Sequence, residues 1–201
     1  QFKPPDTTSP NRRVGGFVRG VGDALPSVIN LAPSRTGLTV AAQPVLYWYL
    51  SGPADHPFEI SLIGRDSVEP LMEFRIEPPV EAGVYAIRLA DYGIELEPGR
   101  TYEWFVALIS DDEVRSKDVV SGAAIKRIDK SPELAARLAA AAEQDRAGIY
   151  AEQGLWYDLV DALSAAITRA PEDSARANLM EQVDLASVRD YDRQYSGSGS
   201  D

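Results

Sequence analysis

The chain has 201 residues, 44% hydrophobic and 25% charged, an ordinary globular composition with room for one good core or one domain plus an appendage. Its formal charge of −11 argues against general affinity for nucleic acid or anionic membrane surfaces, and no apolar run approaches the roughly 20 residues of a membrane helix. The absence of cysteine excludes disulfides, thiolate metal sites and cysteine nucleophiles, and fits either redox compartment.

Residues 1–26 contain Pro4, Pro5, Pro10 and Pro26 with Gly15, Gly16, Gly20 and Gly22, too little apolar surface to build a core. They read as an extended arm. Within it, Arg13-Val14-Gly15-Gly16-Phe17-Val18-Arg19 can pair as a strand where an edge is offered. The charge is uneven: residues 1–22 carry +3 and the rest of the chain −14. A basic arm and an acidic body are self-complementary, within the roughly 10 Å that screening permits. Gln1 in place of an initiating methionine suggests a processed product whose signal peptide has gone, with a merely trimmed chain as the plainer alternative.

From residue 27 to 130 the pattern is of short strands separated by turns. Val28–Leu31, Phe58–Leu62, Glu73–Glu77, Tyr85–Leu89 and Val119–Ile128 fit strands, punctuated by Pro53-Ala54-Asp55, Pro78-Pro79 and Pro98-Gly99. Two stretches stand apart. Pro44–Leu50 places Val45, Tyr47 and Tyr49 on one face and Leu46, Trp48 and Leu50 on the other. Thr101–Ile109 opposes Tyr102, Trp104, Val106 and Leu108 to Phe105, Ala107 and Ile109. Strands apolar on both faces need cover on both faces. Seven or eight strands in about 100 residues predict an immunoglobulin-like antiparallel β-sandwich. Leu96–Tyr102 resembles the tyrosine corner of such sandwiches, in which a tyrosine hydroxyl ties back to upstream backbone.

Residues 131–190 read as helical. Ser131 suits an N-cap, Pro132 the first helical position, and Glu133 the positive end of the helix dipole. Gly154 and Ala170–Asp173 interrupt the helical pattern. Residues 191–201, ending Ser-Gly-Ser-Gly-Ser-Asp, have linker composition and are expected to form a tail. Ala147, Tyr150, Gly154, Ala166 and Pro171 resemble one tetratricopeptide helical hairpin, departing from it at Leu159, where the repeat has alanine. A lone repeat cannot bury its own apolar face. Leu155, Trp156, Leu159 and Leu163 are therefore the expected contacts between the helices and the sandwich.

No constellation points to catalysis. His56 is the only histidine and has no serine at nucleophile-elbow spacing to make a triad. Asp111-Asp112-Glu113 could offer oxygens to calcium but lacks the spaced ligands and glycine of a calcium loop; a solvated hairpin tip is the plainer reading. Glu95 and Glu97 share one face of a strand and are more simply solvated than a glycosidase pair. The arm's glycines do not fit a dinucleotide fingerprint. Tyr47, Trp48, Tyr49, Tyr102 and Trp104 could line a sugar-binding surface, although aromatics on central strands are more often core. No catalytic, cofactor or metal residues are assigned.

Taken in order, Arg13–Gly16 with Arg19-Gly20, Val45–Tyr49, Tyr102–Phe105, Arg115–Asp118 and Gly154–Asp158 resemble the secreted bacterial proteins of the domain of unknown function 928 family. The resemblance spans about Val14 to Asp184. It implies an exported bacterial protein with a strand-rich domain and a helical end, and it brings no activity. The expected function is a non-enzymatic structural or interaction protein, secreted or at the cell surface, with the periplasm as alternative. Such a protein could assemble into filaments through Arg13, Val14, Phe17, Val18 and Arg19, donated as a strand to a neighbouring copy. The alternative is a cell-envelope binding module for a carbohydrate or a protein partner.

Overall fold

The computed structural model describes residues 2–3, 25–170 and 173–197, with side chains through Gln194. Among these residues, eight strands in two sheets precede five helices. The strands are β1 (Val28–Asn30), β2 (Gly37–Thr39), β3 (Val45–Leu50), β4 (Phe58–Gly64), β5 (Pro70–Ile76), β6 (Gly83–Arg88), β7 (Thr101–Leu108) and β8 (Val119–Arg127). The helices are α1 (Pro132–Ala140), α2 (Arg146–Gln153), α3 (Trp156–Arg169), α4 (Ala175–Gln182) and α5 (Ala186–Gly197). One sheet has the order β1-β3-β6 and the other β2-β8-β7-β4-β5. All pairs are antiparallel except β2 with β8.

Alternation along each strand sets what faces the space between the sheets. From β4 it is Phe58, Ile60 and Leu62; from β7, Tyr102, Trp104, Val106 and Leu108; all are buried. Their register places Phe58 opposite Leu108, Ile60 opposite Val106 and Leu62 opposite Trp104. From the other sheet Trp48 meets Phe58 at 5.2 Å between ring centroids and stacks on Tyr85 at 4.7 Å. The Tyr102 hydroxyl accepts the Glu97 backbone N–H at 2.9 Å, fixing the approach to β7.

The two strands with two apolar faces are handled differently. On the outer face of β7, Phe105 sits opposite Gly122 of β8. A Cβ on Gly122 would lie 2.7 Å from the phenyl ring, so the ring lies against the glycine backbone itself. On β3, Tyr47 and Tyr49 are covered by helices: the Tyr47 hydroxyl donates to Asp161 of α3 at 2.8 Å, and Tyr49 packs on Tyr191 of α5 at 5.3 Å.

The helical region begins as its sequence predicts: Ser131 Oγ accepts the Leu134 N–H at 3.1 Å, and Pro132 occupies the first turn. Gly154, with φ 69°, lets the chain turn from α2 into α3. β1 pairs only with the Trp48–Leu50 part of β3 before the chain leaves the sheet beyond Leu31. There α3 packs on β2 and β3. The Trp156 indole donates to the Leu31 carbonyl at 2.8 Å. Tyr157 is buried, its hydroxyl accepting from the Trp104 indole at 3.0 Å and donating to the Ala124 carbonyl at 3.1 Å. Its ring lies on Gly37, where a Cβ would come within 2.6 Å.

The segment expected to be a tail from residue 191 is helical to Gly197. Its Ser-Gly composition starts only at Ser196. Before that, Val188 and Asp192 are buried and Tyr191 packs on the sheet, so one face of α5 has a partner.

Two outcomes follow from the docking of α3. Gly37→Ala forces a methyl into the Tyr157 ring and should cost about 1–3 kcal/mol of stability, read as a lower urea midpoint at unchanged slope. Asp158, whose Oδ2 accepts the Val40 N–H at 3.1 Å, has its pKa pushed up to about 6 by burial, partly offset by hydrogen bonds from Thr39 and Val40. In that window the folded protein holds a proton that the unfolded chain has released. This contribution is therefore present at low pH and lost as pH rises through about 6. The stability of the wild type relative to Asp158→Asn should fall by roughly 2 kcal/mol between pH 4 and pH 7. A flat difference across that range would show that Asp158 titrates normally.

Candidate binding cleft between the helices and the three-stranded sheet

The helices cover the outer face of β3 and β6 unevenly. At one end α3 is docked through Trp156 and Tyr157; at the other Tyr191 sits on Tyr49. Between them Ala86 of β6 lies opposite Tyr47, and its small side chain leaves space. The result is an open cleft of about 480 Å³. Tyr47, Val84, Ala86 and Arg88 form its sheet side, and α3 supplies Asp161, Ser164, Ala165, Ile167 and Thr168. Arg176, Tyr191 and Asp192 close it from α4 and α5.

Its polar groups are organised in two sets. Arg176 grips Asp192 in a bidentate pair at 2.6 and 2.9 Å, both side chains buried. The same guanidinium donates to Ser164 Oγ at 3.0 Å, and that hydroxyl donates to the Val160 carbonyl at 2.7 Å. The pair therefore ties α3, α4 and α5 together. The second set is Tyr47 with Asp161. Burial, and then the adjacent carboxylate, raise the Tyr47 pKa well above its ordinary value, so the phenol stays protonated and donates. Arg88 projects from the end of β6 and is exposed; among the described residues it forms no ion pair.

Of the residues expected to pack the helices on the sheets, Leu155, Trp156 and Leu159 are buried and Leu163 is half-buried against the main core. Leu155 belongs to a separate small cluster with Leu38, Val40, Leu134 and Leu138, between β2 and α1. Arg13, Val14, Phe17, Val18 and Arg19 lie outside the described residues. At the start of the chain, Phe2 meets Trp156 edge-on at 5.1 Å and the Lys3 N–H donates to the Ala151 carbonyl at 3.1 Å.

The acidic run near the β7–β8 turn is matched by cations: Asp111 lies 3.6 Å from Lys117, and Asp112 pairs with Arg75 at 2.8 Å. Glu97 pairs with Arg100 at 2.9 Å. Among the described residues no group of three or more histidine, cysteine, aspartate or glutamate side chains could hold a metal ion. Among them, too, no helix is long and apolar enough to cross a membrane.

Sequence reasoning missed Tyr157, Arg88, Asp161 and the Arg176–Asp192 pair. Sixteen residues separate Arg176 from Asp192, and only the fold of α4 against α5 brings them together. Replacing Arg176 with methionine takes the bidentate counter-charge from a buried carboxylate and should destabilise the protein by about 3–5 kcal/mol. Thermal or urea unfolding reads this directly, and a loss below about 1 kcal/mol would mean the pair is not buried in solution.

No curated protein matches the sequence. The family described as Domain of Unknown Function (DUF928) matches residues 14–192. That match covers most of the chain, which therefore belongs to the DUF928 family.

Proposed function

We propose that this chain is a non-enzymatic extracytoplasmic interaction protein that assembles with itself through strand donation by its N-terminal arm. The observation that carries this reading is the edge strand β5, seven residues long and, among the described residues, paired only with β4. An edge strand presents unpaired N–H and C=O groups that an incoming strand satisfies in a regular ladder. Pro70 lacks a donor at the first position, and of the remaining six residues about every second one turns its N–H and C=O to the open side, the others being used in the ladder with β4. Exposed Glu69, Glu73 and Glu77 flank the edge, and Val68 and Leu71 leave apolar surface beside it. Arg13 and Arg19 complement the charge, and Val14 and Phe17 the apolar surface. Phe2 packs on Trp156 of α3 and Lys3 hydrogen-bonds to Ala151 of α2, and about ten residues lie between Lys3 and Arg13, a length that reaches at most about 33 Å when extended.

The strand order, with β2 parallel to β8 and the Tyr102–Glu97 hydrogen bond, supports an immunoglobulin-like sandwich as the platform. The α2–α3 hairpin, turning at Gly154, supports a single tetratricopeptide-like unit that uses the sheets as its missing neighbour. A second reading, a cell-envelope binding module for a carbohydrate or protein partner, is favoured by the cleft over β3 and β6.

Assembly is tested by gel filtration and negative-stain imaging of the intact chain beside a variant lacking residues 1–20. The intact protein should form polymers and the truncated one a folded monomer. Val14→Asp with Phe17→Asp should also give monomers, since the pair puts a charge on each face of the donated strand, whichever of the two lies against the apolar side of β5. An intact chain that is monomeric at micromolar concentration would rule out donation.

A further inference from the structure

We propose that the cleft over β3 and β6 binds an uncharged sugar, a mono- or disaccharide unit of a glycan. The proposal rests on the binding-module reading and names its ligand. The cleft has the size of a small-molecule site, which such sites generally fill with an apolar lining and a few placed polar groups. Here the apolar lining is a strip from Val84 and Ala86 on the sheet to Ala165 and Ile167 on α3.

The polar groups decide the ligand's charge. Arg88 offers a fork of N–H donors with no ion pair among the described residues. Asp161 offers carboxylate oxygens, of which Oδ1 already accepts the Tyr47 hydroxyl. The Thr168 hydroxyl donates to the Ser164 carbonyl at 3.2 Å and keeps its lone pairs for an incoming donor. An anionic ligand drawn to Arg88 would meet Asp161 in the same cleft, and a cationic one drawn to Asp161 would meet Arg88. A neutral polyol uses both, because each hydroxyl can donate to the carboxylate and accept from the guanidinium. Its C–H faces suit the Val84–Ile167 strip.

The test is saturation-transfer NMR on the full chain with maltose, cellobiose and N,N′-diacetylchitobiose. Glucuronic acid and glucosamine serve as charged probes of similar size. At least one neutral sugar should bind, and bind better than either charged one. Arg88→Ala, Asp161→Asn and Ala86→Trp should each weaken it ten-fold or more while the melting temperature holds. Arg88 and Ala86 are exposed, and asparagine still accepts the Tyr47 hydroxyl, so these variants keep the fold. Binding that survives all three substitutions would overturn the cleft as the site and leave the glycan-module reading standing. Preference for a charged probe, lost in the same variants, would overturn the neutral-ligand assignment alone. No binding of any sugar at millimolar concentration would overturn both the site and the glycan form of that reading.

Discussion

The fold depends on one side chain entering from outside the sheets. Tyr157 bridges the Trp104 indole of one strand and the Ala124 carbonyl of the next, at 3.0 and 3.1 Å. Without it the indole N–H would face an apolar interior with no acceptor, and an orphaned buried donor costs about 1–3 kcal/mol. Burial makes ionisation of the tyrosine hydroxyl costly, so it stays a donor to the carbonyl. Gly37 is required because the tyrosine ring occupies the volume a Cβ would need. The helical region is thereby wedged into the strand region. Trp156, Leu159 and Val160 are buried alongside it, each such side chain being worth roughly 1.5–3 kcal/mol.

This wedge explains what the sequence made legible. The apolar second face of β3 correctly announced that something must cover the sheet, since tyrosines at 47 and 49 cannot be left to water in such number. The Ser131-Pro132 start and the Gly154 turn are local chemistry, and local chemistry is readable. Seven of the eight strands carried alternation or an apolar run. β2 did not: Gly37-Leu38-Thr39 is too short to show a period, yet it forms the shelf on which Tyr157 rests. The outer face of β7 was read as needing a covering layer. Phe105 instead lies against Gly122, a solution visible only once the β7–β8 register is known.

The cleft was illegible for a related reason. Its residues come from β3, β6, α3, α4 and α5, and no two of its charged groups share a sequence motif. It exists because α3 and α5 are anchored at separate points while Ala86 sits opposite Tyr47 between them. Its end wall is held by a buried ion pair, which is weak evidence for stability but strong evidence for geometry. An arginine that meets a carboxylate bidentately and a serine as well has little freedom to move. The wall is therefore stiff, and the groups left for a ligand, Arg88 and Asp161, stand on a sheet and a helix rather than on loops. Preorganisation of that kind lowers the ordering cost of binding.

The two proposed surfaces lie on different sheets. β5 is the edge of the five-stranded sheet, whereas the cleft opens over the outer face of the three-stranded one. A strand added to β5 needs none of the residues that line the cleft. Each subunit of a head-to-tail assembly then keeps its cleft, and an open filament repeats it at fixed spacing. Weak sites gain most from such repetition, because after the first sugar is held the next meets its site at high effective concentration. A small, open cleft with few polar groups is a poor receptor alone. Under the two proposals together, copies of the cleft repeated along a polymer would hold a repetitive glycan more strongly than one cleft does, and assembly would strengthen recognition without any contact between their residues.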